Sequence, residues 1–155
     1  LYHSITFLYG TDFKNSKNTW THFHLIPSSR PVVSRPTPVY KYVDIPGMNG
    51  SLDLTNYLVG KPTYSDRSGS FTFYVANGYG KWADREMELA DFFDGAKEMR
   101  MELEDDPHYY YIGRFYLKQW NPGTSNSEVT IEYRVKPDKY SKGDTYVNPL
   151  TVLGL

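Results

Sequence analysis

The 155-residue chain contains no cysteine. Disulfides, thiolate metal sites and cysteine nucleophiles are excluded together. The composition fits synthesis in a reducing cytoplasm. No apolar run approaches the ~18 residues that a membrane span needs, so no membrane insertion is expected. An excess of charge is also missing: 17 Lys+Arg against 18 Asp+Glu leave a formal net charge of -1. A chain with no long-range field does not gather polyanions, which argues against nucleic acid and anionic membrane as main partners. The chain begins at Leu1, which reads as a processed or trimmed N-terminus. Nothing in it resembles the charged, apolar and small-residue succession of a signal peptide.

Aromatic residues, by contrast, are abundant: 17% of the chain, with 15 tyrosines. Tyrosine suits half-buried strands and interfaces, and so points to a β-rich interaction protein. Short strands are expected at Ser4–Leu8, at Thr19–Ile26 (Thr21, Phe23 and Leu25 on one face) and at Val39–Ile45. Pro27, Pro31, Pro36 and Pro38 lack ladder donors, so the segment between the second and third strands reads as an irregular arm or edge. Pro46-Gly47-Met48-Asn49-Gly50 is a dense turn signal, and Ser51–Leu58 is ambiguous between strand and helical turn. Ser70–Ala76 alternates as a strand with Phe71, Phe73 and Val75 together. One helix follows, with Leu89, Phe92, Phe93 and Ala96 at i, i+3, i+4 and i+7 and Trp82 a heptad earlier. Gly95 is its expected left-handed stop. The period then drops to 2 at Met99, Met101 and Leu103.

Glu104–Pro107 reads as an acidic turn, and Tyr109–Trp120 as a long strand with a bulge at Gly113. Asn121-Pro122-Gly123 turns the chain. In Glu128–Lys136, Val129, Ile131, Tyr133 and Val135 point inward. The pattern predicts a mainly β fold: an antiparallel β-sandwich or barrel with one packed α-helix. Residues 1–140 are expected to form a single domain, and 141–155 a C-terminal tail.

Chemistry is sparse. His22 and His24 share a face of the expected strand, where two imidazoles could ligate zinc or copper. A third ligand would have to come from His3, His108 or a distant carboxylate, and the spacing specifies none. Glu104, Asp105 and Asp106 could bind a hard cation or supply an acid and a base, but a solvated turn closed by Pro107 explains them as well. The Gly47–Gly50 spacing lacks the Lys-Ser/Thr and helix of a phosphate loop, and no Gly-x-Ser-x-Gly elbow or paired-His zinc motif occurs. No catalytic residue, metal site or cofactor is assigned. Tyr109, Tyr110, Tyr111, Tyr116 and Trp120 could present a stacking platform for sugars or form a protein interface.

Four stretches carry a resemblance. They are Tyr42–Leu54 (YVDIPGMNGSLDL), Arg67–Phe73 (RSGSFTF), Leu103–Arg114 (LEDDPHYYYIGR) and Val129–Tyr133 (VTIEY) with Lys136–Tyr140 (KPDKY). In this order and spacing the chain resembles the N-terminal domain of the distal tail proteins of long-tailed bacteriophages and prophages, over roughly Trp20–Tyr140. The resemblance implies a tail-tube-like β-sandwich with a helix and a long hairpin that helps line the channel. It also implies assembly as a hexameric ring at the tail tip, joining the tail tube to tip proteins that meet the host cell. The chain would then be a component of the virion tail, made in the bacterial cytoplasm, with the passing genome as its only contact with nucleic acid. Relatives often carry a further, galectin-like C-terminal domain. Only Ser141–Leu155 follow the match here, as expected of a short member or a fragment.

A ring needs one patch to meet a different patch on the next copy. The proline arm, with Pro31 and Pro36, and the loop of Asp44, Pro46, Gly47, Gly50 and Asp53 are the expected contact segments. Asp44 and Asp53 are expected to orient the loop by accepting backbone N–H groups. Two other readings share the composition: a tail-tube subunit that stacks into tubes, and a carbohydrate-binding β-sandwich.

Overall fold

The structure, a computed structural model, describes residues 3–55, 57, 60, 63–76, 81–122 and 126–142. Its elements are β1 (Ile5–Tyr9), β2 (Asn15–Asn18), β3 (Leu25–Pro27), β4 (Pro38–Val39), β5 (Tyr42–Asp44), β6 (Ser51–Asp53), β7 (Thr63–Tyr64), β8 (Arg67–Ala76), α1 (Trp82–Phe92), β9 (Met99–Leu103), β10 (Asp106–Asn121), β11 (Asn126–Val135) and β12 (Tyr140–Ser141). Gly123, Leu58 and most of the expected tail, 143–155, lie outside the described residues.

Period-2 alternation builds the sheet. β8 buries Phe71, Phe73 and Val75; β11 buries Val129, Ile131, Tyr133 and Val135; β9 buries Met99, Met101 and Leu103. These strands join in the order β2-β1-β9-β10-β11-β8-β3, with β12 beside β10, and every pair is antiparallel. The sheet curls into a half-barrel, in line with the expected mainly β class with one helix. β10 and β11 form the long hairpin. Pro137, with no N–H to donate, lies between β11 and β12.

The half-barrel leaves a hollow, and α1 fills it. Leu89, Phe92 and the following Phe93 face inward. Phe7 meets Phe93 and Phe115 edge-on, with ring centroids 5.0 and 4.8 Å apart, and Phe23 lies 5.3 Å from Phe92. Edge-to-face pairs of this kind add to the ~1.5–3 kcal/mol that burying each ring contributes. Trp82, expected on this face, is exposed. Arg85 takes the inner position and donates to the Phe23 carbonyl, an acceptor in a turn that no strand serves. After Phe93 the chain joins the sheet: Leu117 N–H donates to the Phe93 carbonyl (2.9 Å), and Gly95 takes a left-handed φ of 76°.

Two expectations fail for local reasons. Thr19–His24 is not a strand. The Asn18 side chain accepts the N–H groups of Trp20 and Thr21, and His22 and His24 donate back to the carbonyls of Asn18 and Trp20. An Asn cap overrides the alternation. The coil places Thr19 at the buried junction of the two sheet edges. Its N–H donates to Ile5, its carbonyl accepts from Leu25 and its hydroxyl accepts the Ile5 N–H.

Gly113 is likewise no bulge; the register shifts fall between Leu117 and Gln119 against β11 and between Asp106 and Tyr111 against β9. Gly113 pairs in register with Val135 and Met99, and the neighbouring backbone crowds it. A Cβ there would sit 2.2 Å from the Arg134 carbonyl oxygen and 2.5 Å from Val135 Cα. Gly113→Ala is therefore expected to lower urea-unfolding stability by about 2–3 kcal/mol. A loss under about 0.5 kcal/mol would mean that the strands part freely and the crowding is immaterial.

Candidate assembly surface

Two small two-stranded ladders, β4 with β7 and β5 with β6, stand apart from the large sheet and form a projection. Pro38 and Val39 pair with Tyr64 and Thr63; Tyr42, Val43 and Asp44 pair with Asp53, Leu52 and Ser51. Every residue from Val39 to Asp53 is exposed, including Tyr40, Tyr42, Val43, Ile45, Met48 and Leu52. Most of these are residue types that alternation would place in a core, and a two-stranded hairpin has none. Isolated two-stranded ribbons are at best marginal in water, and exposed apolar clusters of this kind mark interaction surfaces.

The turn residues have definite jobs. Gly47 and Gly50 adopt φ of 81° and 78°, which glycine reaches without strain. Pro46 lies inside this turn, where Met48 N–H donates to the Ile45 carbonyl (3.1 Å). Asp53 accepts both the N–H (2.9 Å) and the hydroxyl (2.5 Å) of Thr55. These bonds hold its carboxyl below the usual range. Thr55 Oγ1 in turn accepts the Lys41 N–H. The observed partner of Asp44 is the Ser51 hydroxyl across the hairpin, in place of the expected backbone N–H.

The proline arm is the projection's root. Pro31 and Val33 are buried within the chain, while Pro36 is half-buried. Ser28 N–H donates to the Thr72 carbonyl, and Ser34 Oγ to that of Ser68. The arm thus continues along the free edge of β8 after β3 ends. Tyr133 crosses above Gly69, where a Cβ would meet its hydroxyl at 2.5 Å, and that hydroxyl accepts the Ser34 N–H at 2.9 Å. The buried Arg67 donates to the carbonyls of Pro137 and Ser34. Sequence alone hid this anchor, because it joins positions a hundred residues apart.

Beside the root lies a cavity of about 590 Å³ lined by the arm, Tyr64, Arg67, the β9–β10 turn, Tyr111 and Lys139. Lys139 pairs with Asp106 at 2.5 Å and lies over the Tyr109 ring. Burial pulls its ammonium down, but the Asp106 hydrogen bond and the neighbouring Tyr111, Asp106 and Tyr109 charges together outweigh it and raise the value. Burial pushes the Tyr111 phenol up, and burial with the Arg35 charge pushes Arg67 down against the Tyr111 charge.

The other candidates resolve into structure. His22 Nδ1 accepts the Asn18 N–H, so the two histidines share no strand face. Glu104 accepts from Ser4, and Asp105 pairs with His3 at 2.7 Å. Among the described residues no group of His, Asp and Glu is placed to hold a metal. The tyrosine run is engaged from within: Tyr110 stacks on Tyr140 under the Arg100 guanidinium, and Tyr111 is buried.

Against known proteins, no family model matches the chain, and no curated protein matches it. A solved structure does: the Dit protein (gp 19.1) of SPP1, titled a paradigm of the hub adsorption apparatus in phages that infect Gram-positive bacteria. The TM-score is 0.61 at 19% identity, covering 88% of this chain and 52% of that one. The fold resembles that of a phage tail hub protein. This chain spans about half the length of its structural relative.

The root cluster carries a pH prediction. Lys139 has a raised value in the folded chain, so its contribution is complete below its ordinary 10.5 and is lost as pH climbs through the folded value. Tyr111, also raised, acts in the same alkaline direction. Lys139→Gln should therefore lower the urea midpoint near about pH 8 and leave a shallower decline toward about pH 11 than wild type shows. Parallel declines in the two proteins would remove Lys139 from the cluster's energetics.

Proposed function

We propose that this chain is a structural subunit of a bacteriophage or prophage tail tip. Its copies form a ring, hexameric as the family resemblance implies, that connects the tail tube to the baseplate and host-recognition proteins. It works by geometry, without catalysis or a cofactor, and resides in the virion tail. The observation that carries this reading is an apolar hairpin, exposed over its whole length, on a domain whose fold resembles Dit. A domain that closes its own core and still presents such a ribbon has a surface made for covering by another protein. Asp44, Pro46, Gly47, Gly50 and Asp53 shape that ribbon, and Pro31 and Pro36 fix its root.

Arg100 over Tyr110 and Lys139 over Tyr109 engage part of the tyrosine run from within, which supports assembly over glycan stacking there, while Tyr116 stays exposed.

The test is native mass with negative-stain imaging over a range of concentrations. Six copies of the 18.0 kDa chain form closed rings of about 108 kDa. Leu52→Asp, in the exposed hairpin, should leave thermal unfolding within about 3 °C of wild type and abolish the rings. Stacked tubes in place of single rings would favour a tube subunit, and rings unaffected by Leu52→Asp would remove the hairpin from the interface. Asp53→Ala probes the turn: unchanged folding and assembly would refute its orienting role.

A further inference from the structure

The cavity at the hairpin's root has an unbalanced charge. Its two carboxylates are engaged, Asp105 with His3 and Asp106 with Lys139. Arg67, only 7% exposed, and Arg35 line the same cavity, and among the described residues neither has a carboxylate within ion-pair distance. Arg67 spends two N–H groups on carbonyls, and the Asp138 carboxylate acts on it from beyond ion-pair distance without outweighing its burial. Pro36, Tyr64 and Tyr111 supply apolar walls. About 590 Å³ is within the range that holds several side chains. The chemistry asks for an apolar segment that carries a carboxylate.

The hairpin tip is such a segment. Ile45, Pro46 and Met48 are apolar and exposed, and Asp44 adjoins them. Between Val39 and Asp53 two carboxylates face one ammonium, that of Lys41. The chain does not seat its own tip: Asp44 to Met48 are all exposed, and none of them lines the cavity. A second copy can, and tip-on-root contact is heterologous, the kind that closes into a ring.

We infer that the tip around Asp44 and Met48 of one copy seats in the Arg35–Arg67 cavity of the next. This rests on the ring reading above and names its contact. The absence of cysteine makes the test clean. Met48→Cys and Val32→Cys, at the exposed lip of the cavity, are made as separate proteins, mixed and oxidised. Dimers containing one of each are expected, with little from either alone. Asp44→Lys and Arg35→Glu should each weaken association roughly tenfold or more, and together restore most of it. Rings by native mass without the mixed cross-link would overturn this contact and leave the ring reading standing. Met48→Cys self-dimers as the main product would overturn it in favour of a tip-to-tip contact. No multimer at any concentration would overturn both.

Discussion

An antiparallel sheet that curls without closing has a hollow face and two raw edges, and both must be answered before anything can be built on it. Here one short helix answers the first. Phe92 and Phe93 enter the hollow and meet Phe7 and Phe23, Phe7 in turn meets Phe115, and Arg85 brings a guanidinium inward to serve the Phe23 carbonyl. Lys17 and Lys97 lie over the Phe92 ring, with their charges attracted to its face. Thr19 answers the second by joining β1 to the start of β3 with three hydrogen bonds from one fully buried residue. The arm, the hairpin root and the C-terminal segment all hang on the frame these contacts hold.

What was legible in the sequence was whatever repeats locally. The period-2 runs of β8, β9 and β11 placed their buried residues correctly, and Leu89, Phe92 and Phe93 announced the helix face. What was not legible depends on partners distant in the chain or on a single side chain that outvotes a pattern. Asn18 turned an alternating segment into a coil, and Arg85 displaced Trp82 because an acceptor 62 residues away needed a donor. Gly113 signalled something unusual, but only the pairing shows it to be close backbone approach in regular register. In the candidate surface, the turn glycines and Asp53 were readable. The apolar residues between them read as ordinary strand, because nothing local says that a strand has no sheet behind it. Tyr133 read as an inward-facing residue, but its meeting with Ser34, and that of Ser34 with Arg67, escaped, since it is a property of the fold.

The projection and its root divide the labour. The root is rigid: Tyr133 and Arg67 hold Ser34 from two sides, and Pro31 and Val33 are buried. The ribbon beyond it is held by its own ladder, by the Ser51–Asp44 bond across it and by the Asp53–Thr55–Lys41 relay. A stiff base with a compliant end lets one surface find another without altering the domain that carries it, which suits a part repeated around an axis.

The coverage of β8 by the arm has a further consequence. Free strand edges invite copies to add by main-chain pairing, a growth mode that every copy extends and none terminates. One margin of this sheet is occupied by Pro27 and the segment after it, and the other is the short, polar β2 with Asn15, Ser16, Lys17 and Asn18. Backbone templating is thereby discouraged at both margins. In the proposed ring, copy number is then set by side-chain fit, which admits a definite count, instead of by a ladder that can lengthen without limit.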